Sequence, residues 1–115
     1  MNLYQDIWKY YDIIYSQKDY RKEADCVIAL IQRHNKTDCK KLLDIGCGTG
    51  SHDIFFQRDF EIYGIDLSTD VLKIAEQRIP DGKFFKADMR DFDLHEKFGS
   101  VGSLFGVMNF NFIVA

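Results

Sequence analysis

The run Leu42-Leu43-Asp44-Ile45-Gly46-Cys47-Gly48-Thr49-Gly50 sets three glycines at alternate positions between a short apolar stretch and a segment able to form a helix. Glycine admits left-handed backbone and lets a ligand come close where no Cβ intervenes. The run therefore asks for a strand that ends, a tight turn, and a helix whose first N–H groups face outward. The rest of the chain from Lys41 agrees, because short apolar runs there alternate with helical segments, the pattern of a parallel sheet with crossover helices. Strands are expected over 42–45, 61–66, 83–87 and 101–108. A short helix is expected over 51–58. A longer one starts at Ser68 as N-cap, with Asp70 in its first turn and with Leu67 and Leu72 spaced as a hydrophobic staple. Pro80-Asp81-Gly82 stops it.

Ahead of Lys41 the period is helical. Tyr4, Ile7, Trp8, Tyr11, Ile14 and Tyr15 make one apolar stripe. A second helix begins near Asp19, a suitable N-cap, and carries Tyr20, Ala24, Val27, Ile28 and Ile31 on one face before the polar stretch 34–38. The expected organisation is thus an N-terminal helical lid over 1–38 and an α/β domain over 39–115.

With 115 residues the chain has surface enough for one modest core. Lys+Arg 15 against Asp+Glu 18 gives a net charge of −3, which speaks against a nucleic-acid partner held by a basic face. The cysteines Cys26, Cys39 and Cys47 are odd in number and lack C-x-x-C spacing, and the first residues lack a secretory pattern; reduced thiols and a cytoplasmic location are expected. His34, His52 and His95 stand singly, without zinc-ligand spacing, so no metal is expected. No charge follows Lys97, yet the glycines, serines and asparagines of that tail suit a buried strand better than a membrane span.

Ser51 occupies the place where the dinucleotide fingerprint G-x-G-x-x-G needs its third glycine, so a nicotinamide dinucleotide is disfavoured. Asp66 closes the second strand, where a carboxylate can accept both hydroxyl protons of a ribose. The glycine turn and Asp66 together point to a ligand containing adenosine.

The run 42–50 resembles the first motif of the class I S-adenosylmethionine-dependent methyltransferases. Gly64-Ile65-Asp66-Leu67-Ser68 resembles their second and Ala87-Asp88-Met89-Arg90-Asp91-Phe92 their third. The resemblance implies a Rossmann-like, three-layer αβα fold with S-adenosylmethionine as cofactor. It would set the backbone of Gly46, Cys47, Gly48 and Gly50 against the methionine part and Asp44 at its amino group and at the loop. Asp66 with Leu67 would lie at the ribose, and Asp88 with Met89 at the adenine. Tyr11-Asp12-Ile13-Ile14-Tyr15, Lys18-Asp19-Tyr20-Arg21, Glu23-Ala24-Asp25 and His52 are similar to segments of the sugar N,N-dimethyltransferases of macrolide amino-sugar pathways, although Asp66 stands where those enzymes carry glutamate. That likeness implies a small-molecule amine as acceptor. Tyr15 would lie near cofactor and acceptor, Arg21 at the methionine carboxylate and Leu104 at the adenine, with His52 or Tyr15 as candidate catalytic groups for the departing proton. Tyr15 suits helix packing equally well, His52 can cap or face water, and Cys47 can be a small buried filler.

The resemblance covers the cofactor half of the family's fold, so the expected sheet stops after the fourth strand and leaves its apolar edge open to a second copy of the chain. The alternative reading is a truncated, non-catalytic protein that binds the cofactor or a partner.

Overall fold

The computed structural model describes residues 19–34, 37–103 and 111–114. Tyr15, Leu104 and the stripe 4–15 lie outside them. Parallel strands β1 (Lys41–Ile45), β2 (Glu61–Asp66), β3 (Lys83–Lys86) and β4 (Ser100–Ser103) form one sheet with β5 (Asn111–Val114), in the order β3-β2-β1-β4-β5. Helices α1 (Tyr20–His34), α2 (Asp53–Phe56) and α3 (Thr69–Arg78) pack against it.

Strand alternation divides the core. Leu42 and Ile62 face the helices, among Ala24, Val27 and Ile31 of α1, Phe56 of α2, and Val71 and Ala75 of α3. Leu43, Tyr63 and Ile65 point the other way, toward Phe92, Leu94, Phe98 and Val101. Among the described residues all three helices lie on the first face, and the second is covered by the irregular segment 87–98. None of those helices is long and apolar enough to cross a membrane.

The expected helix signals are met at both long helices. Asp19 accepts the backbone N–H of Lys22 at 2.9 Å and starts α1, and Ser68 accepts that of Val71 and starts α3. α3 ends before Ile79, whose φ of −131° and ψ of 78° lie outside the helical region that a following proline disfavours, and Gly82 N–H closes the turn onto the Ile79 carbonyl at 3.0 Å. The staple does not form as expected: Leu72 is buried, while Leu67 is 62% exposed. Asp66 folds the 66–68 turn back on itself by accepting Ser68 N–H, and Leu67 at its apex faces outward.

Of the expected strand 101–108, residues 101–103 lie in β4, which begins at Ser100, and 104–108 lie outside the described residues; the outer edge of β4 is not open. β5 pairs with it antiparallel, Ser100 opposite Val114 and Ser103 opposite Asn111, so the backbone groups expected to meet a second copy are met by the chain itself. At the sheet centre Gly64 has no room for a side chain: an added Cβ would lie 2.6 Å from Phe84 Cδ1 and 2.8 Å from Cys47 Sγ. Gly64→Ala is expected to lower the unfolding free energy by about 1–3 kcal/mol, read as a reduced urea midpoint with an unchanged slope.

Candidate functional site

Parallel β1, β2 and β3 lie side by side in register, so their C-terminal ends open on one edge of the sheet, where ligands bind in open α/β folds. The turn 46–50 leaves β1 there. Gly46, Gly48 and Gly50 take φ of 69°, 58° and 78°, values that L side chains rarely adopt. Gly50 packs under Ile79 and Ala75 of the α3 region, whereas a Cβ at Gly48 would meet nothing within 4 Å, so Gly48 borders open space.

The turn is bonded to its neighbour strand rather than left to its own helix. The N–H groups of Gly46 and Cys47 both donate to the Ile65 carbonyl, at 2.8 and 3.1 Å. Asp66 completes the clasp, accepting Gly48 N–H on Oδ2 and Ser68 N–H on Oδ1, each at 3.0 Å. Each of those oxygens keeps lone-pair capacity for a hydroxyl donor. From α3, Arg78 reaches across and donates to the Thr49 carbonyl at 3.1 Å and to the Thr49 and Ser51 hydroxyls at 3.2 and 3.3 Å.

Beneath the turn lie two sealed aspartates. Burial, offset in part by the neighbouring Asp53 carboxyl and reinforced by the Asp66 charge, pushes the Asp44 carboxyl up to about 6. Burial and the Asp44 charge hold Asp53 well above the usual carboxylate range, opposed by Arg78. The Cys47 thiol is also pushed up, by burial first and then by Asp44, Asp53 and Asp66, which keeps it protonated and unsuited to attack.

After β3, Asp88 sits in a bridge with Asp91, and its carboxylate takes a two-pronged grip from Arg90, at 3.0 Å from Nε and 2.6 Å from a terminal nitrogen. That pairing holds the carboxyl below its ordinary value. Leu67 and Met89, on the turns after β2 and β3, are among the exposed large apolar side chains of the described residues.

The remaining expected residues lie elsewhere. His52 is buried with its Nε2 2.9 Å from Glu23 of α1, its ring edge-on to Tyr20 at 4.9 Å and stacked near Phe56. It joins α1 to the end of the glycine turn, a place fixed by packing rather than by access to a ligand. Arg21 is exposed on the first turn of α1 and makes no ion pair among the described residues. Three residues passed unremarked in the sequence: Arg78, which offers no local signal; Glu23 as the partner of His52; and Asp53, whose spacing from Phe56 and Phe60 puts a carboxyl on an apolar helix face.

An open sheet with a glycine turn at the end of its central strand and a carboxylate at the end of the next defines a Rossmann-like fold of the class I methyltransferase type. The chain belongs to the methyltransferase domain family, whose pattern matches residues 42–112. It is 39% identical over 103 residues to a dTDP-3-amino-3,4,6-trideoxy-alpha-D-glucopyranose N,N-dimethyltransferase of Streptomyces venezuelae, covering 87% of this chain and 43% of that protein. The crystal structure of Streptomyces venezuelae DesVI superposes with a TM-score of 0.76 at 40% identity, over 83% of this chain and 41% of that one. An amino pentose methyltransferase from Micromonospora echinaspora involved in calicheamicin biosynthesis, solved with S-adenosylmethionine bound, gives 0.72 at 33% identity, over 91% and 42%. The chain thus spans less than half the length of these relatives.

His52→Ala removes the group that joins Glu23, Tyr20 and Phe56. The unfolding free energy is expected to fall by about 1–3 kcal/mol, measured by urea denaturation followed by circular dichroism.

Proposed function

We propose that this chain provides the cofactor-binding part of an S-adenosylmethionine-dependent methyltransferase that methylates the amino group of a small molecule, an amino sugar or a close analogue. The observation that carries the reading is the open left-handed Gly48 beside the Asp66 carboxylate: a cradle without a Cβ next to an acceptor placed for ribose hydroxyls. The donors and acceptors present suit the cofactor. Asp66 with the exposed Leu67 would hold the ribose, the backbone of the 46–50 turn and the buried Asp44 the methionine end, and Asp88 with the exposed Met89 the adenine. Arg21, by the family resemblance, would pair with the methionine carboxylate, and 1–38 would act as a lid over a domain starting at 39.

S-adenosylmethionine, when bound, supplies a methyl group on a positively charged sulfur, open to in-line attack by an amine lone pair. What this chain contributes is position. A turn already bonded to Ile65 and Asp66 orders the binding groups before the ligand arrives, and holding the reacting atoms in line is the main source of rate in such a displacement. The amine must also lose a proton, for which Tyr15 and water are candidates; His52 keeps its Nε2 on Glu23 and serves this reading better as a brace. The names of the relatives support an amino-sugar acceptor; a cytoplasmic location goes with this reading as part of the proposal.

Asp66→Ala is expected to weaken S-adenosylmethionine binding by about 1–3 kcal/mol in titration calorimetry, with Asp66→Glu recovering most of it. Equal affinity in the wild type and the alanine variant would overturn the assignment. No saturable binding of NADH is expected, since the third fingerprint glycine is Ser51. Transfer of labelled methyl from the cofactor to an amino-sugar nucleotide tests the acceptor class.

A further inference from the structure

Asp44 lies in β1 just ahead of the glycine turn and Asp53 opens α2 just beyond it, so the turn is strung between two aspartates. Both are sealed from water, Asp44 at 3% exposure and Asp53 at 0%. Asp44 Oδ1 and both carboxyl oxygens of Asp53 meet no donor among the described residues. The two carboxyls flank the same turn, each close enough to act on the ionisation of the other. Two ionised carboxylates have only acceptors to offer, and buried at such proximity both cannot hold a charge.

Among the groups around the pair, Arg78 relieves Asp53 in part, while Asp66 works against Asp44. Asp66 from β2 adds a further negative charge, and the Cys47 thiol in the turn is neutral. Arg78 from α3 contributes positive charge that opposes the rise at Asp53, and it also donates to Thr49 and Ser51. His52, next in sequence to Asp53, has its Nε2 on Glu23 of α1.

We propose that Asp53 is a positioning residue: it keeps a proton, donates it to Asp44, and by that hydrogen bond ties the start of α2 to β1 and holds the glycine turn in its binding shape. The pair then carries one negative charge instead of two. Asp53 acts through Asp44 and through the turn, not on the ligand. Loss of the shared proton replaces a buried hydrogen bond by like-charge repulsion, which drives α2 from β1 and opens the turn between them.

The direction of the pH effect follows from proton counting. Both carboxyls are raised in the folded chain, so the folded state binds more protons than the unfolded one above the ordinary carboxylate range. Stability must fall as pH rises through about 6 for Asp44, and further as Asp53 ionises. The part of the inference that concerns affinity rests on the cofactor reading above; the shared proton does not.

The experiment combines carboxyl-carbon NMR of the wild-type chain, labelled at aspartate, with thermal melts and S-adenosylmethionine titrations from about pH 5 to about pH 9, repeated for Asp53→Asn and Asp53→Ala. In the wild type two aspartate signals should titrate as a coupled pair above the ordinary range, the melting temperature without ligand should fall with pH, and affinity should drop about tenfold. Asp53→Asn keeps a donor to Asp44 and should flatten both slopes. Asp53→Ala, with no donor, should bind about tenfold more weakly than Asp53→Asn at neutral pH. Two aspartates titrating at ordinary carboxylate values, or an Asp53→Asn chain with the wild-type slopes, would overturn the proposal. The NMR titration and the ligand-free melts need no cofactor. A wild-type chain that behaves as expected in both but binds no S-adenosylmethionine refutes the cofactor reading and leaves the shared proton standing.

Discussion

Asp66 holds two strand ends together with one carboxylate. Through Gly48 N–H on one oxygen and Ser68 N–H on the other, it fixes the turn after β1 against the turn after β2. Without it the 46–50 turn would be a run of left-handed glycines, the residues that lose most entropy on ordering, secured to its neighbour by the Ile65 carbonyl alone. With it, the cost of ordering the turn is met in folding rather than at binding. The remaining supports, Arg78 from α3 and Gly50 under Ile79, act on the far end of the same turn. The cofactor-side geometry is therefore a property of three packed elements, not of a loop.

How much of this the sequence discloses depends on range. The strands over 42–45 and 61–66 are legible because continuous apolar runs bounded by Gly and Asp are what a doubly covered parallel strand needs. Asp66 is legible because its position at a strand end is itself the signal, and Ser68 and Pro80 mark the limits of α3 by local chemistry alone. What joins distant segments leaves no such mark. His52 reads as a polar residue at a helix start, and only the packing of α1 onto the turn shows that it is sealed against Glu23. β5 escapes notice for a related reason: alternating strands and helices suggest parallel neighbours, while an antiparallel neighbour needs only a short return of the chain.

The fold of α1 onto the sheet also bears on how the proposed lid and domain relate. Ala24, Val27, Ile28 and Ile31 join one core with Leu42, Phe56 and Ile62, and the Glu23–His52 contact pins the first turn of α1 to the end of the glycine turn. A boundary drawn at 38 in the sequence is thus crossed by the core. Displacement of the 20–34 helix would expose apolar area and unpair a buried imidazole, so in the proposed organisation this helix is the part of the lid packed onto the sheet.

Charge along the strand ends falls off from the centre of the sheet outward. Asp44, Asp53 and Asp66 gather at β1 and β2, with Arg78 turned toward backbone and hydroxyl oxygens, whereas at β3 the Asp88 carboxylate is answered by Arg90. A ligand lying across these ends meets the Asp66 carboxylate beside the glycine turn and an exposed apolar side chain at Met89. Such a gradient suits a molecule with a cationic end and an uncharged aromatic end, and it disfavours one with phosphates at the turn, because their charge would fall on the carboxylates.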